Sequence, residues 1–498
     1  MPTPGPAEPS LPPAAPRATR VAEILQTVLT GLILAFIFRA FLVEAFIIPT
    51  GSMADTLLGA HATRVCPACG WEFDFAPLRT AAPGAGFVVP PEIICPNCQF
   101  AFEATPTDTA PKAGDRILVH KWPYALAGLC PPQRWDVIVF RDPADPDQHY
   151  IKRLIGQPGE TVELVDGDVF IDGRIARKPP EVQATLWMVV FDQAHLASAN
   201  APSGRLPRWI ALDPPDPTGA GWAGLDQRTI RYDGLDQTGR EIIFNADTGT
   251  EYLLDLYAYN RHSSGAFVGD VRIVAEFTPR AGNGVCRWEL LRSPQRFFAE
   301  LHRDGHVVLG AEALDAAGCT FTLDKHLNTA LAFGRPVAVE FGHVDFRVYL
   351  TIDGQEVLSS TDELYAPRLE HLRTAARARP VGLRIGARDL ACELRRLRID
   401  RDVHYTSRPV QALRATTGRP FTLLAEEYFV MGDNSPDSHD SREWTEAGPH
   451  LPPDYRPGTV RADQIVGQAA FVYLPGLLPL GTGARWSVPD IGRVRFVR

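Results

Sequence analysis

No stretch of this chain concentrates lysine or arginine, and the formal net charge is -9 with a pI near 5.8. That balance argues against a nucleic-acid partner, since a polyanion is held by clustered cations. Long apolar runs are scarce too. One covers Val21 to Phe38 and extends to Phe46, whereas the apolar segments between Gln464 and Arg498 are broken by Pro475 and Pro479 and read as strands, not a second span. The Asp-rich segment Asp433 to Arg442 lacks the sixth-place Gly and twelfth-place Glu of a calcium-binding EF-hand loop. Disorder does not extend to the whole chain: 498 residues, 45% hydrophobic and 22% charged, can bury two or three cores. With 44 prolines and 41 glycines, turns and short strands are favoured over long helices, and the expected class is mostly β.

The first 20 residues, rich in Pro and Ala and ending in Arg17 and Arg20, read as a disordered cytoplasmic tail. Residues 21–46 suit one transmembrane helix: Glu23 is the only charge up to Phe38, and Arg39 and Glu44 fall near the outer end, where they can snorkel. The alternatives are a buried core helix and a signal peptide cleaved after Val43-Glu44-Ala45. The run is long for a signal peptide, so an uncleaved anchor in the lipid bilayer is the favoured reading. Arg17 and Arg20 orient it with the N-terminus inside and the rest of the chain outside the cytoplasm.

Just past the run lies Ile47-Ile48-Pro49-Thr50-Gly51-Ser52-Met53, where Pro49 and Gly51 can hold Ser52 in a sharp turn, or simply form a loop leaving the anchor. Cys66-Pro67-Ala68-Cys69 and Cys95-Pro96-Asn97-Cys98 are two C-x-x-C knuckles whose thiolates can close a tetrahedral structural zinc site; disulfides are the competing use. Cys130, Cys286, Cys319 and Cys392 lack such spacing and read as small buried hydrophobes. Strands are expected within Gly114 to Lys121, Asp136 to Phe140 and His149 to Gly156, which places Lys152 in a strand, where a lysine usually faces solvent. Between Pro179 and about Thr406, alternating runs and the Asp304-Gly305 and Asp353-Gly354 turns describe a β-sandwich, similar to the concanavalin-like and laminin-G-type jelly rolls. Past it, Tyr428 to Arg442 is a strand running into a loop dense in Asp, Asn and Ser, whose short side chains bond back to the backbone.

Taken in order, Ile48-Pro49-Thr50-Gly51-Ser52-Met53, Gly114-Asp115, Tyr150-Ile151-Lys152-Arg153 and Gly432-Asp433-Asn434 through Asp440-Ser441-Arg442 resemble the successive boxes of bacterial type I signal peptidase, the leader peptidase family of Ser/Lys proteases. The resemblance implies a membrane-bound serine endopeptidase with a β-rich catalytic domain on the extracytoplasmic side of the inner (plasma) membrane. Its partners would be the signal peptides of exported preproteins, and it would need no cofactor for catalysis. By position, Ser52 is the nucleophile and Lys152 the general base, which must be neutral to accept a proton. Thr50 and the Ser52 N–H supply the oxyanion hole, and Ser438 orients the lysine. Asp433, Asp440 and Arg442 brace the site, while Phe46, Ile48, Pro49 and Ile151 line pockets for small residues of the signal peptide. The family often carries Arg-Asp where Ser435 and Pro436 stand, so bracing there is expected to differ.

On this reading the catalytic domain is divided into residues 47–60, 113–184 and 407–498. A zinc-ribbon-like insertion occupies 61–112, with Cys66, Cys69, Cys95 and Cys98 as metal ligands, and a β-sandwich insertion occupies 185–406. The sandwich is expected to be an accessory domain, with a glycan or protein as its ligand, such that a chain joining Lys178 to Ala412 still cleaves. Two other functions remain open: a membrane-anchored glycan- or protein-binding module on a disused protease frame, and a Ser/His/Asp hydrolase using His439 or His149. No G-x-S-x-G elbow surrounds Ser52.

Overall fold

The computed structural model describes residues 17–79, 87–88, 92–103, 112–125, 130–197, 208–213, 221–244, 253–255, 259, 266–374, 381–406, 414–479 and 487–498. As the composition requires, strands dominate. The helix Arg17–Phe41 has 25 residues, and its side chains are described over residues 22–36, where Leu25, Val28, Leu29, Ile33 and Phe36 are exposed. Among the described residues no helix is long and apolar enough to cross a membrane. The span expected at 21–46 is corrected at both ends. The helix already starts at Arg17, inside the expected tail, the rest of which lies outside the described residues. It stops at Phe41, and Val43–Ile47 is a strand paired with Arg116–His120 from Val43↔His120 to Ile47↔Arg116. The alternation of that segment satisfies its backbone through a neighbour instead of through a fourth-residue ladder. Glu44 accordingly meets Lys121 at 3.2 Å and does not snorkel from a helix end.

The main sheet is antiparallel, in the order Val43–Ile47, Arg116–His120, Ile465–Leu474, Val137–Arg141, His149–Gly156, Glu427–Met431 and Val460–Arg461. Segments from both ends of the chain thus interleave. A smaller sheet, Arg174–Ile175, Asp168–Ile171, Thr161–Val165 and Phe421–Thr422, stands beside it. Between these parts the chain builds a 13-stranded sheet around Val271–Arg292 and Val381–Arg401, which pair along most of their length. On its other edge the first of these pairs with Val337–Val344 through Val271 to Phe277, then with Gln295–His302 through Val285 to Arg292. The expected sandwich is therefore one hydrogen-bonded network that forks and folds about a single core.

That core is not closed off from the rest. Val165 and Phe170 of the smaller sheet belong to the same apolar cluster as Trp288, Phe341 and Leu350. Buried ion pairs reinforce the joint: Lys178 Nζ meets Asp345 at 2.5 Å and Asp402 at 2.8 Å, and Arg292 meets Asp270 at 3.0 Å and Asp166 at 3.1 Å. The expectation of a sandwich hung from a surface loop is corrected here. Lys178 is no free junction, because its ammonium is paired with two carboxylates of the segment that the join would remove. Ala412, the other end of the proposed join, lies outside the described residues.

Two hairpins, Ala62–Val65 with Glu72–Phe75 and Glu92–Ile94 with Ala101–Glu103, each carry a C-x-x-C at the tip, and Leu78–Arg79 pairs with Phe87–Val88 between them. The knuckles close in the same way: Gly70 N–H bonds the Cys66 carbonyl at 2.9 Å, and Gln99 N–H bonds the Cys95 carbonyl at 2.9 Å. Gly70 and Gln99 take φ of 71° and 59°, the left-handed turn that a knuckle needs.

Candidate active site

Ser52 sits in the one-turn segment Gly51–Met53, entered from an extended Thr50 (φ -127°, ψ 161°) and 8% exposed. The turn is fixed from several directions. Gly114 lies so near Ile48 that a Cβ on it would stand 1.9 Å from the Ile48 carbonyl oxygen. This close approach lets Asp115 hold both flanks: its carbonyl accepts from Ile48 N–H at 2.9 Å, and its carboxylate accepts from Leu58 N–H at 3.0 Å. The Gly114-Asp115 box is thus a bracket for the serine segment.

Lys152 lies on His149–Gly156, at Lys152↔Ile138, and is 4% exposed where most strand lysines face water. Its Nζ stands 2.5 Å from Ser52 Oγ. Burial lowers its pKa to about 8 by disfavouring the ammonium, against the opposing pull of the Asp440 carboxylate. A large neutral fraction therefore exists at mildly alkaline pH.

The polar loop after Glu427–Met431 supplies the surroundings. Arg153 binds Asp433 through Nε–Oδ1 and Nη2–Oδ2, both 2.7 Å, with Thr56 donating to the same carboxylate at 2.5 Å. Arg442 binds Asp440 in the same two-pronged way at 2.8 and 2.7 Å. Asp440 also accepts from Gly432 N–H at 3.0 Å, and the Arg442 guanidinium carries its carboxyl below the usual range despite burial. Gly432 is required: a Cβ there would meet Ser438 Oγ and the Ser52 carbonyl oxygen, each at 2.3 Å.

One expectation is corrected. Ser438 donates to Asp440 Oδ2 at 2.7 Å, and among the described residues it makes no hydrogen bond with Lys152. A carboxylate outbids an amine for the hydroxyl proton, so Ser438 reaches the lysine only through the Asp440 charge. Where the family often carries Arg-Asp, the Ser435 hydroxyl accepts from Arg442 at 2.7 Å and from Thr406 N–H at 2.9 Å, tying the end of the inserted domain into the site. Thr50 is exposed and its side chain makes no capping bond. Ile48 and Ile151 are buried in one apolar cluster with Met53 and Val137, Phe46 packs against it, and Pro49 is exposed. His149 and His439 are both exposed, and His149 stacks near Phe46 at 5.3 Å.

Three residues without an assigned role prove central. Arg153 was visible beside Lys152, but only the fold shows its carboxylate partner 280 positions away. Asn434 donates from Nδ2 to the Gly51 carbonyl at 3.0 Å and from its backbone to the Ser52 carbonyl at 3.1 Å. Tyr259, from the inserted domain, lies against Gly51 and carried no sequence signal.

Away from this site, the Sγ atoms of Cys66, Cys69, Cys95 and Cys98 lie within 4.8 Å of one another. The pairs Cys66–Cys98 and Cys69–Cys95 are 3.6 and 3.7 Å apart. A tetrahedron with Zn–S bonds of about 2.3 Å has edges of about 3.8 Å, whereas a disulfide needs about 2.05 Å. The four thiols fit a zinc ion.

Comparison with known families gives a match to the family described as "Signal peptidase, peptidase S26" over residues 100–194 and 349–474, which leaves Ser52 outside the matched residues. Signal peptidase I of Pseudomonas aeruginosa is 33% identical over 105 residues, covering 18% of this chain and 36% of that protein. The Rickettsia canadensis enzyme is 29% identical over 141 residues, covering 28% and 39%. The chain therefore spans under two fifths of the length of these two relatives. Among solved structures, the carbohydrate-binding module CBM66 from Bacillus subtilis overlaps 39% of this chain and 97% of its own at 12% identity and a TM-score of 0.25. The galectin LEC-6 of Caenorhabditis elegans overlaps 31% and 96% at 9% identity and a TM-score of 0.20.

Proposed function

We propose, from the premise that this chain belongs to the signal peptidase family S26, that it is a type I signal peptidase cleaving signal peptides from exported preproteins with Ser52 as nucleophile and Lys152 as general base. The observation that carries the reading is the 2.5 Å between Lys152 Nζ and Ser52 Oγ, in a buried site where burial favours the neutral amine. Lys152 Nζ takes the hydroxyl proton as Oγ attacks the scissile carbonyl, and the oxyanion so formed lies toward Ser52 N–H and the Thr50 hydroxyl. The lysine ammonium then protonates the leaving amine. Water, deprotonated by the same amine, attacks the acyl-enzyme and returns Oγ to its starting state. Asp433, Asp440 and Arg442 brace this site, and Phe46, Ile48, Pro49 and Ile151 form the apolar wall that takes small side chains of the signal peptide.

The exposed apolar side chains of Arg17–Phe41 support a single-pass anchor in the plasma membrane with the catalytic domain outside the cytoplasm. Incubating detergent-solubilised protein with a preprotein and sequencing the new N-terminus tests the activity. Across pH, the rate is expected to rise about tenfold per unit and level off above about 8, as the neutral fraction of Lys152 grows. His149→Gln and His439→Gln should keep that profile. A profile that switches on near the ordinary histidine pKa of about 6.5, or is lost in the His439 variant, assigns the proton transfer to histidine and removes Lys152 as base.

For Cys66, Cys69, Cys95 and Cys98 the matching role is one structural zinc, holding the two hairpins together and taking no part in hydrolysis. Metal analysis of purified protein should give about one zinc per chain, and Cys95→Ser should release it. Disulfides mapped among these four cysteines by mass spectrometry, with no zinc, would reverse the assignment.

A further inference from the structure

We propose that Tyr259, contributed by the inserted β domain, is a positioning residue for the Ser52 turn, so that the insertion is part of the working protease and not a passenger. The proposal rests on the reading of Ser52 as nucleophile. Tyr259 is 2% exposed, and its ring abuts Gly51: a Cβ built there would stand 2.0 Å from Cε1, and its next two nearest atoms also belong to this ring. The ring packs with Ala54 and Leu58, and its hydroxyl donates to the Ala60 carbonyl at 2.9 Å. One side chain thus touches the serine loop within its turn and at three points after it.

The opposite side of the loop is held by Asn434, which bonds the Gly51 and Ser52 carbonyls. Tyr259 supplies the counter-wall. Gly51 is the freest backbone in the segment, and the three atoms nearest to a Cβ at that face all belong to the ring, so its removal loosens the rotation. The 2.5 Å alignment of Oγ with Nζ then spreads over a range of positions. Displacement of a reacting group by about 1 Å can cost on the order of 100-fold in rate, with little change in substrate binding. The same tyrosine is fixed from behind, its carbonyl accepting from Ala76 N–H of the cysteine module at 3.1 Å. That module in turn docks on the inserted domain: Asn97, in the second knuckle, accepts from Asp192 N–H at 2.6 Å and donates to the His195 carbonyl at 2.6 Å. Both insertions therefore converge on the loop.

The experiment measures kcat and KM on the full-length protein in detergent with a preprotein substrate, with thermal melting of each variant as the check on folding. Tyr259→Ala is expected to lower kcat by about 30- to 100-fold at nearly constant KM, and Tyr259→Phe, which keeps the ring, to restore kcat to within about threefold. Gly51→Ala should lose about 100-fold through the clash with the ring. The double variant Gly51→Ala/Tyr259→Ala should lose no more than Tyr259→Ala alone, because the Cβ then fills vacated space. Parental kcat in Tyr259→Ala, or losses that simply multiply in the double variant, would overturn the proposal. Where Tyr259→Ala does not fold, Gly51→Ala decides, since parental kcat there means that the ring does not occupy that space. Ser52→Ala runs alongside: full turnover by it removes the nucleophile reading and this proposal together, whereas an inactive Ser52→Ala beside a fully active Tyr259→Ala removes only the latter.

Discussion

Ser52→Ala and Lys152→Ala are each expected to lower preprotein cleavage by at least about 10⁴-fold, while the protein stays folded. Ser52 Oγ and Lys152 Nζ stand 2.5 Å apart, and among the described residues no histidine is hydrogen-bonded to Ser52. A unit of this kind fails as a whole when either member is lost, so the double variant should be no worse than the singles. Lys152→Arg is the sharper probe. An arginine keeps its charge at any pH a protein survives, so it cannot accept the serine proton, and the loss should match that of alanine. Turnover by Lys152→Ala within tenfold of the parent, read on the initial rates of folded protein, would mean that another group takes the proton. Burial costs the ammonium form of Lys152, so the alanine variant loses little stability.

Arg153→Met is expected to lower stability by about 3–5 kcal/mol and the melting temperature by about 10 °C or more, with activity lost alongside. Arg153 and Asp433 are almost wholly buried and joined by two hydrogen bonds of 2.7 Å, so methionine leaves a buried carboxylate without its two-pronged cation. Such a carboxylate must either stay charged at high cost or take up a proton. The double variant Arg153→Met/Asp433→Leu removes both charges, fills the volume, and should regain most of the lost melting temperature. Its activity should stay low, because Asp433 precedes Asn434, whose two bonds hold the Ser52 turn. An Arg153→Met protein that melts with the parent would show the pair to be dispensable.

Read as a sequence, the chain declared its mostly β class and its candidate site because both are written in local patterns. Alternating β-branched runs, the two C-x-x-C knuckles and the short boxes around Ser52, Lys152 and Asp440 are each contained in a dozen residues or fewer. The helix Arg17–Phe41 was legible as an apolar run but its outer end was not. Val43–Ile47 is as apolar as the helix before it, and only pairing with a strand 70 residues away makes it β. The direction of the Ser438 hydroxyl was likewise undecided locally, since lysine and carboxylate both lie within reach of that loop and the stronger acceptor wins.

What the sequence determined by itself was the set of candidate groups: a serine on a Pro-Gly turn, a lysine among apolar neighbours, four paired thiols. What only the tertiary structure decided was their dependence on the rest of the chain. Tyr259 has no motif, lies far from every box, and reads as one aromatic among many, yet its ring fills the space that glycine leaves at position 51. Lys178 reads as a turn lysine and is a buried ion-pair centre between the inserted domain and the smaller sheet. The reason is physical. A motif records which groups react, whereas packing against partners 100 to 300 residues distant is a property of surfaces that exist only after the strands have paired and the core has closed.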